Sequence, residues 1–191
     1  MNGTLHERKS LMIRLLPGIL LAVLTGCIRL HSDIVVVHRL PGPTTHIRYA
    51  SMPFPERQGS LEYRSYERLI KNELSKHGFI ESTVNDADLL LFFMYGSDTG
   101  KEAVYSNYGR SYVPGSDVEI RYRTKFTRFL TMELLDRSSF AQGRIQKVYE
   151  ANVFSTPNSQ VAKVMPTMIK ALFEEFPGQS GSTRRVVLPV E

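Results

Sequence analysis

Apolar and polar residues recur along this chain with two different periods. Between Ser60 and His77, Tyr63, Tyr66, Ile70 and Leu74 return every three or four positions, with Leu69 beside them. That spacing gathers them on one side of a helix. Arg64, Arg68, Lys71 and Lys76 fall on its wetter flanks. Ser60 suits the N-cap, where a hydroxyl accepts from a backbone N–H that has no partner within the helix. Gly78 stands where a left-handed residue stops a helix, and Phe79 is placed to fold back on the last turn. A second helix is expected over "NSQVAKVMPTMIKALFEEF", where Val161, Val164, Met165, Met168, Ile169, Leu172, Phe173 and Phe176 form one stripe. Pro166 lacks a backbone donor, so a kink or break is expected there, and Pro177-Gly178 ends the helix.

Elsewhere the period shortens to two, or vanishes into continuous apolar runs. "DIVVVHRL" (33–40) is rich in β-branched residues and reads as a strand, and "HIRYA" (46–50) as a second, after the turn "PGPTT". "DADLLLFFMYG" (86–96) is apolar throughout and of strand length, which predicts a central strand covered on both faces. A long glycine- and tyrosine-rich loop follows, with a short strand near Glu102–Ser106. "IRYRTKFTRFLTMELLD" (120–136) alternates: Phe126, Leu130, Met132 and Leu134 share one face, while Thr127, Thr131 and Glu133 point the other way. After a loop at "RSSFAQG", Ile145, Tyr149, Ala151 and Val153 share a face of "RIQKVYEANVF", making an antiparallel partner. The C-terminal "QSGSTRRVVLPVE" is a polar linker and then an apolar segment, either a closing edge strand or a frayed end. Two strands, a helix, three or four strands and a helix predict an α+β two-layer sandwich. Its sheet would be mixed and mainly antiparallel, with two helices on one face. The length suits one core, placed at residues 34–178 with 179–191 as a tail.

Composition adds little to that picture. Hydrophobic residues make up 42% of the 191 and charged ones 23%, as in ordinary globular proteins. Arg8, Lys9 and Arg14 against Glu7 give the first 26 residues +2 of the net +5. Charges elsewhere are interspersed, so no nucleic-acid partner is expected. A single cysteine excludes an internal disulfide and any multi-cysteine metal site.

That cysteine changes the picture more than the totals do. Polar, basic residues 1–14 precede the apolar run Leu15–Val23, and then come Leu24-Thr25-Gly26-Cys27. The run is too short for the ~20 residues a spanning helix needs and fits the core of a secretory signal. The final four residues resemble the lipobox of bacterial lipoproteins. A thiol can accept a diacylglyceryl group as a thioether, Gly26 leaves the cleavage point unobstructed, and Leu24 fills an apolar subsite. The resemblance implies a signal peptide at 1–26, lipidation at Cys27 and a short tether at 27–33. Initiation at Met12 would give a more compact signal and the same mature chain. Two or three acyl chains hold lastingly where one is marginal. Ile28, where enterobacterial-type sorting reads Asp as retention in the inner membrane, points to the periplasmic side of the outer membrane.

Several segments together resemble a group of bacterial envelope lipoproteins that share a domain of unknown function. They are the strand and "RYA" after the cysteine, "LSKHGF" before "DADLLLFF", the pair "FLTMELLD" and "RIQKVYEANVF", and the closing "FEEFPG". They span about residues 33–178. The resemblance implies a two-layer domain and an envelope location, and no activity.

Candidate chemistry is sparse. Arg121, Arg123 and Lys125 lie on one strand face with Tyr122 and Phe126 opposite. Such interleaving grips anionic groups, although a solvated strand with cations guarding an edge has the same pattern. Tyr105, Tyr108 and Tyr112, with Asn107 and Arg110 in the long loop, suit glycans or peptides, or are partly buried loop tyrosines. His31, His38, His46 and His77 lack metal-ligand spacing. Asp86 and Asp88 read as a turn before a strand and Glu174-Glu175 as helix-surface charge. No GxSxG elbow, Ser-x-x-Lys pair or phosphate-binding glycine loop occurs. The expectation is a non-catalytic, lipid-anchored outer-membrane lipoprotein without cofactor or metal, whose periplasm-facing domain binds an envelope protein. Alternatives are a binding module for lipid headgroups or glycan fragments, and a hydrolase with an unrecognised site.

Overall fold

Alternation sets the first element. In the computed structural model, which describes residues 29–40, 46–98, 101–106, 120–156 and 161–190, β1 runs from Arg29 to His38. Leu30, Ser32, Ile34 and Val36 are buried, and the residues between them face outward. The other strands are β2 (Arg48–Ser51), β3 (Ile80–Glu81), β4 (Leu89–Ser97), β5 (Lys101–Ser106), β6 (Ile120–Lys125), β7 (Arg128–Asp136), β8 (Lys147–Ser155) and β9 (Ser182–Pro189). Seven of them form one sheet in the order β3-β2-β4-β7-β8-β1-β9, while β5 and β6 form a separate two-stranded ribbon. β2 runs parallel to β3 and β4, and every other pairing is antiparallel. The expected mixed, mainly antiparallel α+β sandwich is what the chain forms.

Two helices cover one face of the sheet. In α1 (Leu61–Lys76), Tyr63, Tyr66, Ile70 and Leu74 are buried, as their spacing requires. The Ser60 hydroxyl accepts from the Tyr63 N–H at 3.2 Å. At the other end the Gly78 N–H donates to the Ser75 carbonyl and the Phe79 N–H to that of Leu74, both at 3.1 Å. This double closure needs a left-handed residue, which Gly78 supplies at φ 84°. Tyr63 stacks on Phe93 of β4 with centroids 4.2 Å apart, and Tyr66 meets Tyr95 edge-on at 4.8 Å. The last helix, Val161–Phe173, continues through Pro166 without a break but stops at Phe173, so Glu174, Glu175 and Phe176 lie in the turn beyond it rather than on the helix as expected. Pro166 lies on its exposed side, so the ring displaces no core contact.

Four expectations from the pattern need correction. Residues 120–136 form two strands, parted at Phe126 and Thr127, because Asp98 pulls the chain out of the ladder there. Its Oδ1 accepts from the Thr127 N–H at 2.9 Å, and its own N–H donates to the Thr127 carbonyl at 3.0 Å. Phe126 keeps the right phase but lies past the last row of the sheet and is 39% exposed, so the core face of β7 begins with buried Arg128. Ile145 likewise precedes β8 and is 74% exposed. The loop "RSSFAQG" contains a short helix, α2 (Arg137–Ala141). Asp136 caps it, accepting from the Ser139 N–H at 2.7 Å and the Ser138 hydroxyl at 2.6 Å. The last helix is therefore α3. Finally, β4 is covered on its second face only at one end, where Leu90 packs with Ala50, Ala87 and Leu135; Met94 is 47% exposed.

The C-terminal segment closes the sheet rather than fraying. β9 pairs with β1 from Arg29↔Pro189 to Val36↔Ser182. Residues 29–33, expected as tether, are already strand. If packing is set by rows of covered positions rather than by alternation alone, Leu134→Ala should cost about 2–5 kcal/mol. Ile145→Ala should stay within about 0.5 kcal/mol. Urea unfolding of both variants measures the contrast.

Candidate functional site

Among the described residues, the sheet face opposite α1 and α3 is largely uncovered, and its register lays side chains out in rows. One row crosses five strands through Gly96, Phe129, Phe154, Asp33 and Arg185. The Phe129 ring lies over Gly96, where an added Cβ would sit 3.0 Å from it, so a larger residue would have to push the ring aside. Asp33 and Arg185 form a two-pronged pair, Nε to Oδ1 at 2.6 Å and Nη2 to Oδ2 at 3.2 Å. The guanidinium hydrogen bond holds the Asp33 carboxyl below its ordinary value. The next row runs through Met94, Thr131, Asn152, Val35 and Thr183, with the Thr131 hydroxyl donating to Asn152 at 2.7 Å. In the third, Phe92, Glu133, Glu150 and Val37 align. The Lys147 ammonium bridges the two glutamates at 2.7 and 3.0 Å, and its hydrogen bond holds the Glu150 carboxyl low.

Exposed apolar groups concentrate on this face: Val37 is 56% exposed, Phe154 and Val187 41% each. Where β1 begins, Arg29, His31, Asp33, Phe154 and Arg185 border a shallow concavity of about 290 Å³. The Ser155 hydroxyl donates to the His31 carbonyl there at 2.6 Å, fixing the end of β8 against β1.

The ribbon leaves from this same end. Ser97, Arg128, Ser155, Ser32 and Val186 are successive partners across the sheet. The chain passes from Ser97 into β5 and returns through β6 to Arg128, while β1 starts three residues beyond Ser32. Of the residues expected to bind, Tyr105 is paired with Arg121 in the ribbon ladder, and Arg123 and Lys125 pair with Ala103 and Lys101. Cys27, Tyr108 and Tyr112 lie outside the described residues. Phe126, expected opposite the cations on the same strand, sits beyond β6, with the Arg128 guanidinium 5.3 Å from its ring centroid.

A second concavity, of about 400 Å³, opens at the far end of the sheet between Arg48, Asn85, Asp86, Asp88, Asp136 and Arg137. Its carboxylates are committed to internal bonds. Asp88 accepts from the Arg48 guanidinium at 2.9 and 3.3 Å and from its backbone N–H at 3.0 Å. Asp86 accepts from Thr83 at 2.7 Å, and Asp136 caps α2. The Arg48 hydrogen bonds hold Asp88 low, and those from Ser138 and Ser139 do the same for Asp136. This is a turn locked before β4, as the sequence suggested for Asp86 and Asp88. Glu175 rests 3.7 Å from Arg184.

The histidines lie apart. The Leu40 N–H donates to Nδ1 of His38, so Nε2 carries the proton and donates to the Gly178 carbonyl at 3.0 Å. His77 packs on Phe173 and Phe176. Among the described residues no three His, Cys, Asp or Glu side chains are placed to share a metal ion. The buried phenols of Tyr63 and Tyr149 are pushed upward in pKa, chiefly by loss of water.

Sequence reasoning missed the rim of Arg29, Asp33, Phe154 and Arg185, because it is assembled from strands as far apart as residues 33 and 185. A usable signal was present in "DIVVV", whose unbroken apolar run puts Val35 and Val37 opposite Ile34 and Val36. Four carboxyls held low in the folded chain (Asp33, Asp88, Asp136 and Glu150) bind fewer protons there than when unfolded. Their contribution to stability is complete above the ordinary carboxyl range of about 4 and is lost as pH falls through their lowered values. The urea midpoint should therefore decline below about pH 4, and Asp88→Asn should make that decline shallower.

Comparisons with known proteins locate the fold but not an activity. A crystal structure of a PDZ domain protein from Parabacteroides distasonis aligns over 91% of this chain with a TM-score of 0.52 and 14% identity. This chain spans 42% of that protein's length, and at that identity the likeness concerns the fold alone. A PelC dodecamer from Paraburkholderia phytofirmans gives a TM-score of 0.38 at 16% identity, covering 72% of this chain and 91% of that one. No curated protein matches. The family described as a domain of unknown function (DUF4136) matches residues 48–178. That segment holds β2 to β8 and all three helices and leaves out β1 and β9, and through it the chain belongs to this family.

Proposed function

We propose that this protein is a non-catalytic lipoprotein of the outer membrane, held through acylated Cys27, whose domain faces the periplasm and binds another envelope protein. The observation that carries this reading is the sequence Leu24-Thr25-Gly26-Cys27 followed, two residues later, by the first residue of a folded sheet. A cleaved signal followed at once by strand leaves a lipidated cysteine as the natural start of the mature chain. Fatty acyl groups such as palmitate contribute about 0.8 kcal/mol per buried CH₂, so two or three chains suffice for stable attachment. The uncovered face, with Val35, Val37 and Met94 around the Thr131–Asn152 and Lys147–glutamate bonds, supplies the partner surface. Exposed apolar groups among satisfied polar ones are the composition of a protein interface.

Replacing Cys27 by Ser should abolish labelling with radioactive palmitate and remove the chain from the outer-membrane fraction. A processed Cys27→Ser chain that still fractionates there contradicts the anchor. A photo-crosslinker at Met94 should capture one reproducible envelope protein, and Val37→Lys, which sets a cation opposite Glu150, should weaken that capture about tenfold or more without lowering the urea midpoint. Capture of abundant porins alone, or of nothing, contradicts the partner surface.

A further inference from the structure

We infer that the end of the sheet where β1 begins rests on the anionic phospholipid headgroups of the leaflet holding the acyl chains, leaving the uncovered face upright and free for a protein. This inference rests on the lipid-anchor reading and adds to it an orientation and a lipid class.

Tether length comes first. Cys27 precedes Arg29 by two residues, and two residues of extended chain reach about 7 Å. Arg29 pairs with Pro189 and lies three residues beyond the Ser97–Arg128–Ser155–Ser32–Val186 row. Whatever holds Cys27 at a bilayer therefore holds this end of the sheet within the headgroup layer. The far end, where Asp136 pairs with Leu89, is eight residues of strand from that row, roughly 26 Å at the usual rise.

Charge and shape agree with that placement. Besides Arg29, with Arg185 already paired to Asp33, the ribbon departs from this end, two strand spacings or about 10 Å from β1. Its ladder sets positions 101, 103 and 105 opposite 125, 123 and 121, so Lys101, Arg121, Arg123 and Lys125 occupy one face by register. The ribbon holds one acid, Glu102, on the alternate face. At the opposite end Asp86, Asp88 and Asp136 are consumed by internal bonds. Arg29 beside partly exposed Phe154, with Val187 on the same face and four basic register positions in the ribbon, matches a phosphate layer with apolar chains beneath it.

The test uses the mature acylated chain, purified from membranes and reconstituted in vesicles. With Cys27 blocked as a thioether, a cysteine introduced at Val187, Pro189 or Ile145 is the sole reactive thiol for an environment-sensitive fluorophore. In vesicles containing phosphatidylglycerol, labels at Val187→Cys and Pro189→Cys should be quenched by a paramagnetic group on the lipid headgroup, and Ile145→Cys should not. Replacing Arg121, Arg123 and Lys125 by Gln should reduce the ratio of contacting to free molecules roughly fivefold per cation. Pure phosphatidylcholine should give little contact. Equal quenching at all three positions, or indifference to lipid charge, overturns the orientation alone. Maleimide reaction of the otherwise unaltered chain at Cys27 shows a free thiol and overturns the anchor reading, and this inference with it.

Discussion

A seven-stranded sheet with two helices has one face it can cover, and that constraint governs the rest of the molecule. Leu30, Ile34 and Val36 of β1, Leu130, Met132 and Leu134 of β7, and Tyr149, Ala151 and Val153 of β8 are buried under α1 and α3. Because strand side chains alternate, a slip of one residue would expose Ile34 and bury Val35 across the whole ladder. Register is therefore fixed by the covered face. The uncovered face inherits that register, and its rows bring Asp33 to Arg185 and Thr131 to Asn152 as a consequence.

The first helix was legible in the sequence because its ends carry local signals. Ser60, Gly78 and Phe79 each make the backbone contact that their identity suggests. Strand existence was legible from alternation, but alternation reports only which side a residue faces. Phe126 has the correct phase and still lies outside the core because it is past the last row of β7, whereas a register shift between Leu134 and Leu135 breaks the alternation from Tyr149 before it reaches Ile145. α2 was hidden since Asp136 serves two elements, ending β7 and capping the turn that follows. The role of the C-terminal segment depended on β1, more than 140 residues earlier, and no local pattern distinguishes an edge strand from a frayed end.

The candidate site divides in the same way. The alternating cations of the ribbon were visible as a pattern within a few residues. The rim beside them was not, because its members meet only when β1, β8 and β9 pair. The far concavity shows why a cluster of carboxylates need not be a reactive centre. Asp86, Asp88 and Asp136 spend their lone pairs on a threonine, an arginine and a helix start, and together they hold the turn before β4.

The two ends of the sheet thus differ: internal bonds of Asp86, Asp88 and Asp136 lock the turn at one, while partly exposed Phe154 and Val187 and the base of the ribbon lie at the other. The family match through β2 to β8 gives the common scaffold, and outside it are β1, the first strand after Cys27 in the sequence, and its partner β9. The central claim is that a lipidated cysteine fixes that end. Mass spectrometry of the N-terminal peptide of the mature chain tests it most directly. The account requires a chain beginning at Cys27, carrying a diacylglyceryl thioether and an acylated amine; an N-terminus elsewhere, or an unmodified Cys27, contradicts it.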